Sequence, residues 1–299
     1  MAKNLIILTY HRVLDAPDAL QPGEISTDFF ADQMRCLSRY FNVLPLLDGC
    51  RQLSGGTLPP RAVSITFDDG YADNYRNAWP VLKQFDLPAT VFVATGFLDG
   101  GRMWNDTVIE CIRRIPGTEI DLRDLGLGCH VAKDDAQRVA AIHDVILRLK
   151  YLEPGVRNAK AATLAEKASS PVPDDLMLEI RQVKELSRSG IEIGAHTITH
   201  PILRSTEIGT AREEIVGGKR RLEEIVGSDV RSFAYPNGKP GVDYDPAHVE
   251  LVREAGFECA VSTTHGAATA SSDIWQLPRI GPWAESTLRF GLRTLRATF

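Results

Sequence analysis

Ser64-Ile-Thr-Phe-Asp-Asp-Gly-Tyr-Ala-Asp-Asn74 joins the end of one apolar run to the start of a helical pattern. The run from Ala62 to Phe67 predicts a buried strand, and it delivers two adjacent acids and a glycine to the strand's carboxyl end. Alternation along a strand aims Asp68 and Asp69 in different directions. Like charges side by side repel and need a cation or a proton to coexist. The pair therefore predicts a site where one acid binds a metal and its neighbour moves protons. Asp-Asp-Gly is also ordinary turn chemistry, so the rest of the chain has to supply the partners.

It does so at Ile191-Glu-Ile-Gly-Ala-His-Thr-Ile-Thr-His-Pro201, where three residues separate His196 from His200. One helical turn after a strand over Ile191 to Ala195 would put both imidazoles on one face, as a metal requires. One carboxylate with two histidines leaves positions for water and substrate, which is the composition of a catalytic zinc site. A third segment, Arg231-Ser-Phe-Ala-Tyr-Pro-Asn-Gly-Lys239, reads as a strand running into a tight Pro-Gly loop.

Around these segments the chain alternates strand and helix, the pattern of a parallel α/β architecture. Leu5 to Tyr10 is a short buried strand. Ser26 or Thr27 caps a helix to about Arg39, with Phe30, Met34 and Leu37 on one face. A helix runs from Ala72 to Phe85, and further strands cover Ala89 to Ala94, Ser232 to Tyr235, Cys259 to Ser262 and Gln276 to Ile280. Residues 100–189 break the rhythm with helical patterns at Asn105 to Arg114 and Asp134 to Tyr151 and no convincing strand. They read as a helical insertion within a single catalytic domain spanning 1–299, since linker composition is missing at their edges.

Composition frames the function. With 299 residues, 43% hydrophobic and 24% charged, the chain can bury one large core. A net charge of −5 with interspersed signs gives no basic footprint for nucleic acid. Five cysteines without a Cys-x-x-Cys read as reduced thiols of a reducing compartment. The apolar run near the start is too short for a signal-peptide core or a membrane span, so a cytoplasmic protein is expected.

Three segments, Thr66-Phe-Asp-Asp-Gly70, His196-Thr-Ile-Thr-His200-Pro201 and Phe233-Ala-Tyr-Pro-Asn-Gly238, occur in the order found in the polysaccharide deacetylase family with the NodB homology domain, carbohydrate esterase family 4. The chain resembles that family from about Leu5 to Pro282. The resemblance implies a distorted (β/α) barrel with its site at the strands' carboxyl ends. It also implies that Asp69, His196 and His200 bind one divalent metal, zinc by the donor set, with cobalt, nickel or iron as alternatives. Asp68 would be the general base, and the backbone N–H of Asn237 would steady the oxyanion.

The chain departs from the familiar pattern twice. The usual Leu-x-His motif carrying the general acid corresponds here to Leu277-Pro-Arg-Ile280, without histidine. His11, in Thr9-Tyr-His-Arg-Val13, is the substitute, because a branch that deacetylates biofilm poly-N-acetylglucosamine carries a Tyr-His pair upstream of Thr-Phe-Asp-Asp-Gly and uses that histidine as the acid. The alternative role for His11 is a simple hydrogen bond across the barrel mouth. Ala234 stands where many members carry an arginine that orients the base. Arg279 could supply that guanidinium, or make an ordinary ion pair. Tyr71, Asp73 and Trp104 are further candidates for the walls of a sugar groove.

The expected activity is hydrolysis of N-acetyl groups on an amino sugar of a bacterial polysaccharide or its precursor. That precursor could be lipid-linked and met at the inner membrane face. A deformylase or another amide or ester hydrolase on the same scaffold is the alternative, as is a catalytically silent carbohydrate-binding protein. Oligomeric state is not legible.

Overall fold

The structure is a computed structural model that describes residues 4–284 and 286–298. Two compact units emerge, one from residues up to Ala16, Glu24–Asp99 and Leu178 onward, the other from Pro17–Gly23 and Gly100–Met177.

The first unit is a nearly closed parallel barrel of the NodB (β/α) type. Its strands are β1 (Leu5–Tyr10), β2 (Ala62–Phe67), β3 (Thr90–Val93), β4 (Glu192–Ala195), β5 (Ser232–Ala234), β6 (Cys259–His265) and β7 (Leu277–Arg279), hydrogen-bonded in chain order. Every neighbouring pair is parallel, with Leu5 opposite Ala62 and Tyr10 opposite Phe67 in the longest ladder. The circle closes just past β7, where the Ile280 N–H donates to the Ile7 carbonyl at 2.8 Å and the Thr9 N–H donates to that of Ile280 at 3.1 Å. A two-residue strand, Asn42–Val43, pairs with the start of β2.

Both faces of β1 and β2 are buried, which explains why they read as unbroken apolar runs. Ile6, Leu8, Val63, Ile65 and Phe67 face the surrounding helices, among them α1 (Thr27–Tyr40) with Phe30, Met34 and Leu37. Leu5, Ile7, Phe92, Ala234 and Val261 fill the interior together with α2 (Leu46–Ser54). Gly49 of α2 lies so close to Leu5 that a Cβ there would come within 3.1 Å of its side chain. The remaining helices of this unit are α3 (Trp79–Gln84), α4 (Ile180–Arg188), α5 (Ile208–Val226), α6 (Pro246–Glu254) and α7 (Thr287–Ala297).

The second unit corrects one expectation. Besides helices Trp104–Arg114, Asp135–Lys150 and Pro154–Glu166 it contains an antiparallel hairpin, Glu119–Leu122 with Gly128–Val131. Its core includes Val108, Cys111, Ile112, Ile120, Leu122, Val145, Leu149 and Leu164. Residues 178–189, read from sequence as part of the insertion, belong to the barrel unit instead. All five cysteines are free thiols. Among the described residues, no helix is long and apolar enough to cross a membrane.

Candidate metal centre

Asp69, His196 and His200 converge at the carboxyl ends of β2 and β4, with one ligand-type atom from each lying within 4.8 Å of the others. Asp69 Oδ1 is 3.3 Å from Nε2 of His196 and 3.3 Å from Nε2 of His200. Two donors of a tetrahedral ion with bonds of about 2.0–2.1 Å lie roughly 3.3–3.4 Å apart, so the spacing suits zinc-sized cations. A carbonyl oxygen only accepts, so His196 must carry its proton on Nδ1, which donates to Ala234 O at 2.7 Å. That bond fixes the tautomer and aims the Nε2 lone pair at the centre. The donor set and its orientation fit a divalent metal.

Local backbone, not a helix, presents these ligands. The expected helical turn after β4 is absent. His196 to His200 form an irregular bend with Thr197 (φ 67°) and His200 (φ 53°) in the left-handed region. Non-glycine residues there are held by their surroundings. Here the carboxylate of Glu214 on α5 accepts the N–H groups of Ile198 and Thr199, both at 2.8 Å, and the Thr199 hydroxyl at 2.6 Å. Thr95 and Gly96 donate their N–H groups to the carbonyls of Thr197 and Ile198. Gly218 of α5 touches the Thr197 backbone, where a Cβ would sit 2.9 Å from its carbonyl. Asp69 is also left-handed (φ 73°), and its own carbonyl accepts the Ala94 N–H.

Asp68 sits beside this cluster in a different role. Its carboxylate takes a two-point fork from Arg279, Nη1 to Oδ1 at 2.7 Å and Nη2 to Oδ2 at 2.6 Å. The side chains are 0% (Arg279) and 5% (Asp68) exposed, so this is no ordinary surface pair. Arg279 is itself anchored by donation to the Ser262 carbonyl at 2.9 Å. Burial pushes the Asp68 carboxyl up, but the Arg279 charge and fork outweigh it and hold the group below its usual value. Asp69 is likewise held well below the carboxylate range, against burial, by the imidazoles of His200 and His196. Burial takes His200 down to about 4 despite the pull of Asp69. Burial also resists charging of His196, yet its bond to Asp69 and the charges of Asp68 and Asp69 raise it.

His11 follows β1 directly after Tyr10, whose carbonyl accepts the Asp68 N–H at 2.9 Å. A cradle that sequence reading missed holds its segment. Asp73 accepts from Arg12 Nε at 2.8 Å and from the Val13 N–H at 3.1 Å, while Asn74 and Asn77 donate to the carbonyls of His11 and Val13. Asp73 and Tyr71 are buried, with Arg12 stacked over the Tyr71 ring, so these two brace the site instead of lining a sugar groove. Burial pushes the Asp73 carboxyl up to about 6, against the pull of Arg12. The residues over Asn74–Ala78 wind as a π-helix ahead of Pro80, whose missing N–H cannot continue the usual ladder. Asn237, left-handed at φ 58°, forms the tight loop after β5, and its carbonyl accepts the Thr263 hydroxyl at 2.8 Å. Trp104 lies in the second unit, under the Arg157 guanidinium.

A parallel barrel carrying its acids and histidines at the carboxyl ends of its strands defines the NodB class of fold. Residues 55–120 and 161–260 match the family model for polysaccharide deacetylase, and the chain belongs to that family. It is 21% identical over 220 residues to YxkH of Bacillus subtilis (strain 168), covering 74% of this chain and 51% of that protein. It is 31% identical over 104 residues to a poly-beta-1,6-N-acetyl-D-glucosamine N-deacetylase of Staphylococcus aureus (strain MSSA476), covering 30% of this chain and 36% of that one. The chain thus spans about half the length of the first relative and about a third of the second. Among solved structures, the Streptococcus pyogenes deacetylase PplD in complex with acetate superposes with a TM-score of 0.66 at 20% identity, covering 99% of both chains. IcaB from Ammonifex degensii gives 0.63 at 23% identity, covering 99% of this chain and 98% of that one.

Proposed function

We propose that this chain is a metal-dependent hydrolase that removes N-acetyl groups from an amino sugar of a bacterial polysaccharide or its precursor. The observation that carries the reading is the division of labour between adjacent acids. Asp69 faces two imidazole nitrogens, while Asp68 is held separately by the two-point fork of a buried arginine. A purely carbohydrate-binding protein has no use for a second, separately fixed carboxylate beside a cation site.

Asp69, His196 and His200 would hold the ion, zinc by preference of the donors. When bound, it would acidify a water and polarise the acetyl carbonyl. Asp68 accepts the proton of the attacking water. Its low proton affinity would be no obstacle to that step, because a metal held by Asp69, His196 and His200 would raise the water's own acidity. Arg279 keeps both carboxylate oxygens oriented and the group ionised. The Asn237 N–H is assigned to the oxyanion. His11 delivers a proton to the departing nitrogen, and acetate and the free amine leave.

Acetate release from N-acetylglucosamine oligomers tests this, in protein stripped with a chelator and then reloaded with zinc. Activity should vanish on stripping and return on reloading. Asp68→Asn should retain the metal and lose about 10²–10⁴-fold in turnover. His11→Ala should depress amide cleavage far more than cleavage of activated acetyl esters, whose leaving groups need little protonation. Equal losses on both substrates would remove His11 from the acid's role, and an active Asp68→Asn would remove Asp68 from the base's.

A further inference from the structure

Outside the site, a groove of about 590 Å³ opens between α1 and α7. None of the residues placed in the metal centre lines it. Its apolar lining includes Phe41, Leu292 and Leu295, and the guanidinium-bearing residues around it are Arg35, Arg39 and Arg61. Asp32 is the one acid among the described lining residues, and it is already paired with Arg35.

The sequence of α7 explains the groove. Phe290 and Thr294 face the barrel, and Gly291 lets the helix approach α1 so closely that a Cβ would meet Cys36 Sγ at 3.0 Å. That leaves Leu288, Leu292 and Leu295 as one stripe at helical spacing on the outward side. Leu288 is 73% and Leu292 46% exposed, and Tyr40 on the α1 side is 51% exposed. Arg289, Arg293 and Arg296 are exposed on the same helix, which carries no acid between Thr287 and Ala297. The Arg39 guanidinium lies over the exposed Tyr40 ring, 5.5 Å from its centroid, so charge and apolar surface meet at this edge of the groove. A chain of net charge −5 thus gathers cations around an exposed apolar stripe.

A second copy would fit poorly, because a two-fold contact would bring these arginines against one another. An anionic bilayer matches both halves of the pattern: leucines enter the acyl boundary and guanidiniums fork to phosphates. We propose that the α1–α7 face docks the protein on an anionic phospholipid surface. The inference does not depend on the reaction proposed above.

Co-sedimentation of the full chain with vesicles of phosphatidylcholine, with and without phosphatidylglycerol, tests the docking. Binding is expected to the anionic vesicles alone, and to weaken as salt is raised. Arg39→Gln and Arg61→Gln should each weaken it about fivefold. The double variant Leu288→Ser/Leu292→Ser should abolish it while keeping the parent's thermal midpoint, since both side chains are exposed. Absence of binding, equal binding to both lipids, or indifference to these substitutions would overturn the proposal. So would a concentration-dependent dimer dispersed by Leu292→Ser, which would assign the groove to a second copy.

Discussion

At the scale of single residues, the Arg279–Asp68 pair shows how burial changes the meaning of an ion pair. An exposed pair contributes at most about 1 kcal/mol, whereas removing one partner of a buried pair leaves an uncompensated charge. Arg279→Ala is therefore expected to destabilise the protein by about 3–5 kcal/mol, and the double variant Asp68→Ala/Arg279→Ala to recover much of that loss in chemical denaturation. Asp73 gives a second expectation, with a definite sign. Its folded-state value near 6 lies above the ordinary 3.8, so the folded protein binds more protons between those limits. The resulting stabilisation is full below about pH 4 and is lost as pH rises through 6, by about 3 kcal/mol at most. Asp68 and Asp69, shifted downward, act oppositely, and their contribution fades only as pH falls below about 4. Thermal midpoints measured from pH 4 to 7 should fall less steeply in Asp73→Asn than in the parent. The three residues of the candidate metal centre could be picked out in sequence because metal chemistry restricts residue type. The Ala234 carbonyl that orients His196 could not, because any amino acid could supply it.

At the scale of elements, strands were legible where both faces are buried, and loops were not. Spacing alone suggested a helical turn for His196 and His200, yet the loop takes its shape from contacts far along the chain. Glu214 and Gly218 sit on one face of α5, and neither bears any local mark of a role in the site. Glu214→Gln should keep all three ligands and the fold but weaken the charge-assisted hold on the Ile198 and Thr199 N–H groups. Zinc affinity measured by competition with a chelator should drop about 10–100-fold, the usual effect of disturbing groups behind a ligand. The missed hairpin had a signal: Glu119-Ile-Asp-Leu122 alternates exposed and buried, and Gly126 and Gly128 take positive φ at its turn. Four-residue strands are too short for that alternation to outweigh the helical patterns on either side.

At the scale of the whole molecule, the metal centre is built entirely from the barrel unit, while residues 100–177 form a second unit with a core of their own. Zinc should therefore stabilise by mass action those parts that open when the site opens. Hydrogen exchange with and without zinc is expected to slow at the amides of 68–70 and 196–200 and to leave those of the 119–131 hairpin unchanged. The alternation of strands and helices made a parallel α/β architecture legible, and the barrel followed from the family resemblance; the bridge just past β7 that closes it carries no local mark in the sequence. That bridge stands next to Arg279, whose partner Asp68 lies 211 positions earlier. On the ribosome, Asp69, His196 and His200 emerge while the last strand is still unmade. A nascent chain can thus hold all three of these side chains before it holds the guanidinium that forks to Asp68, so that carboxylate meets its counter-charge only after the last strand of the barrel has been added.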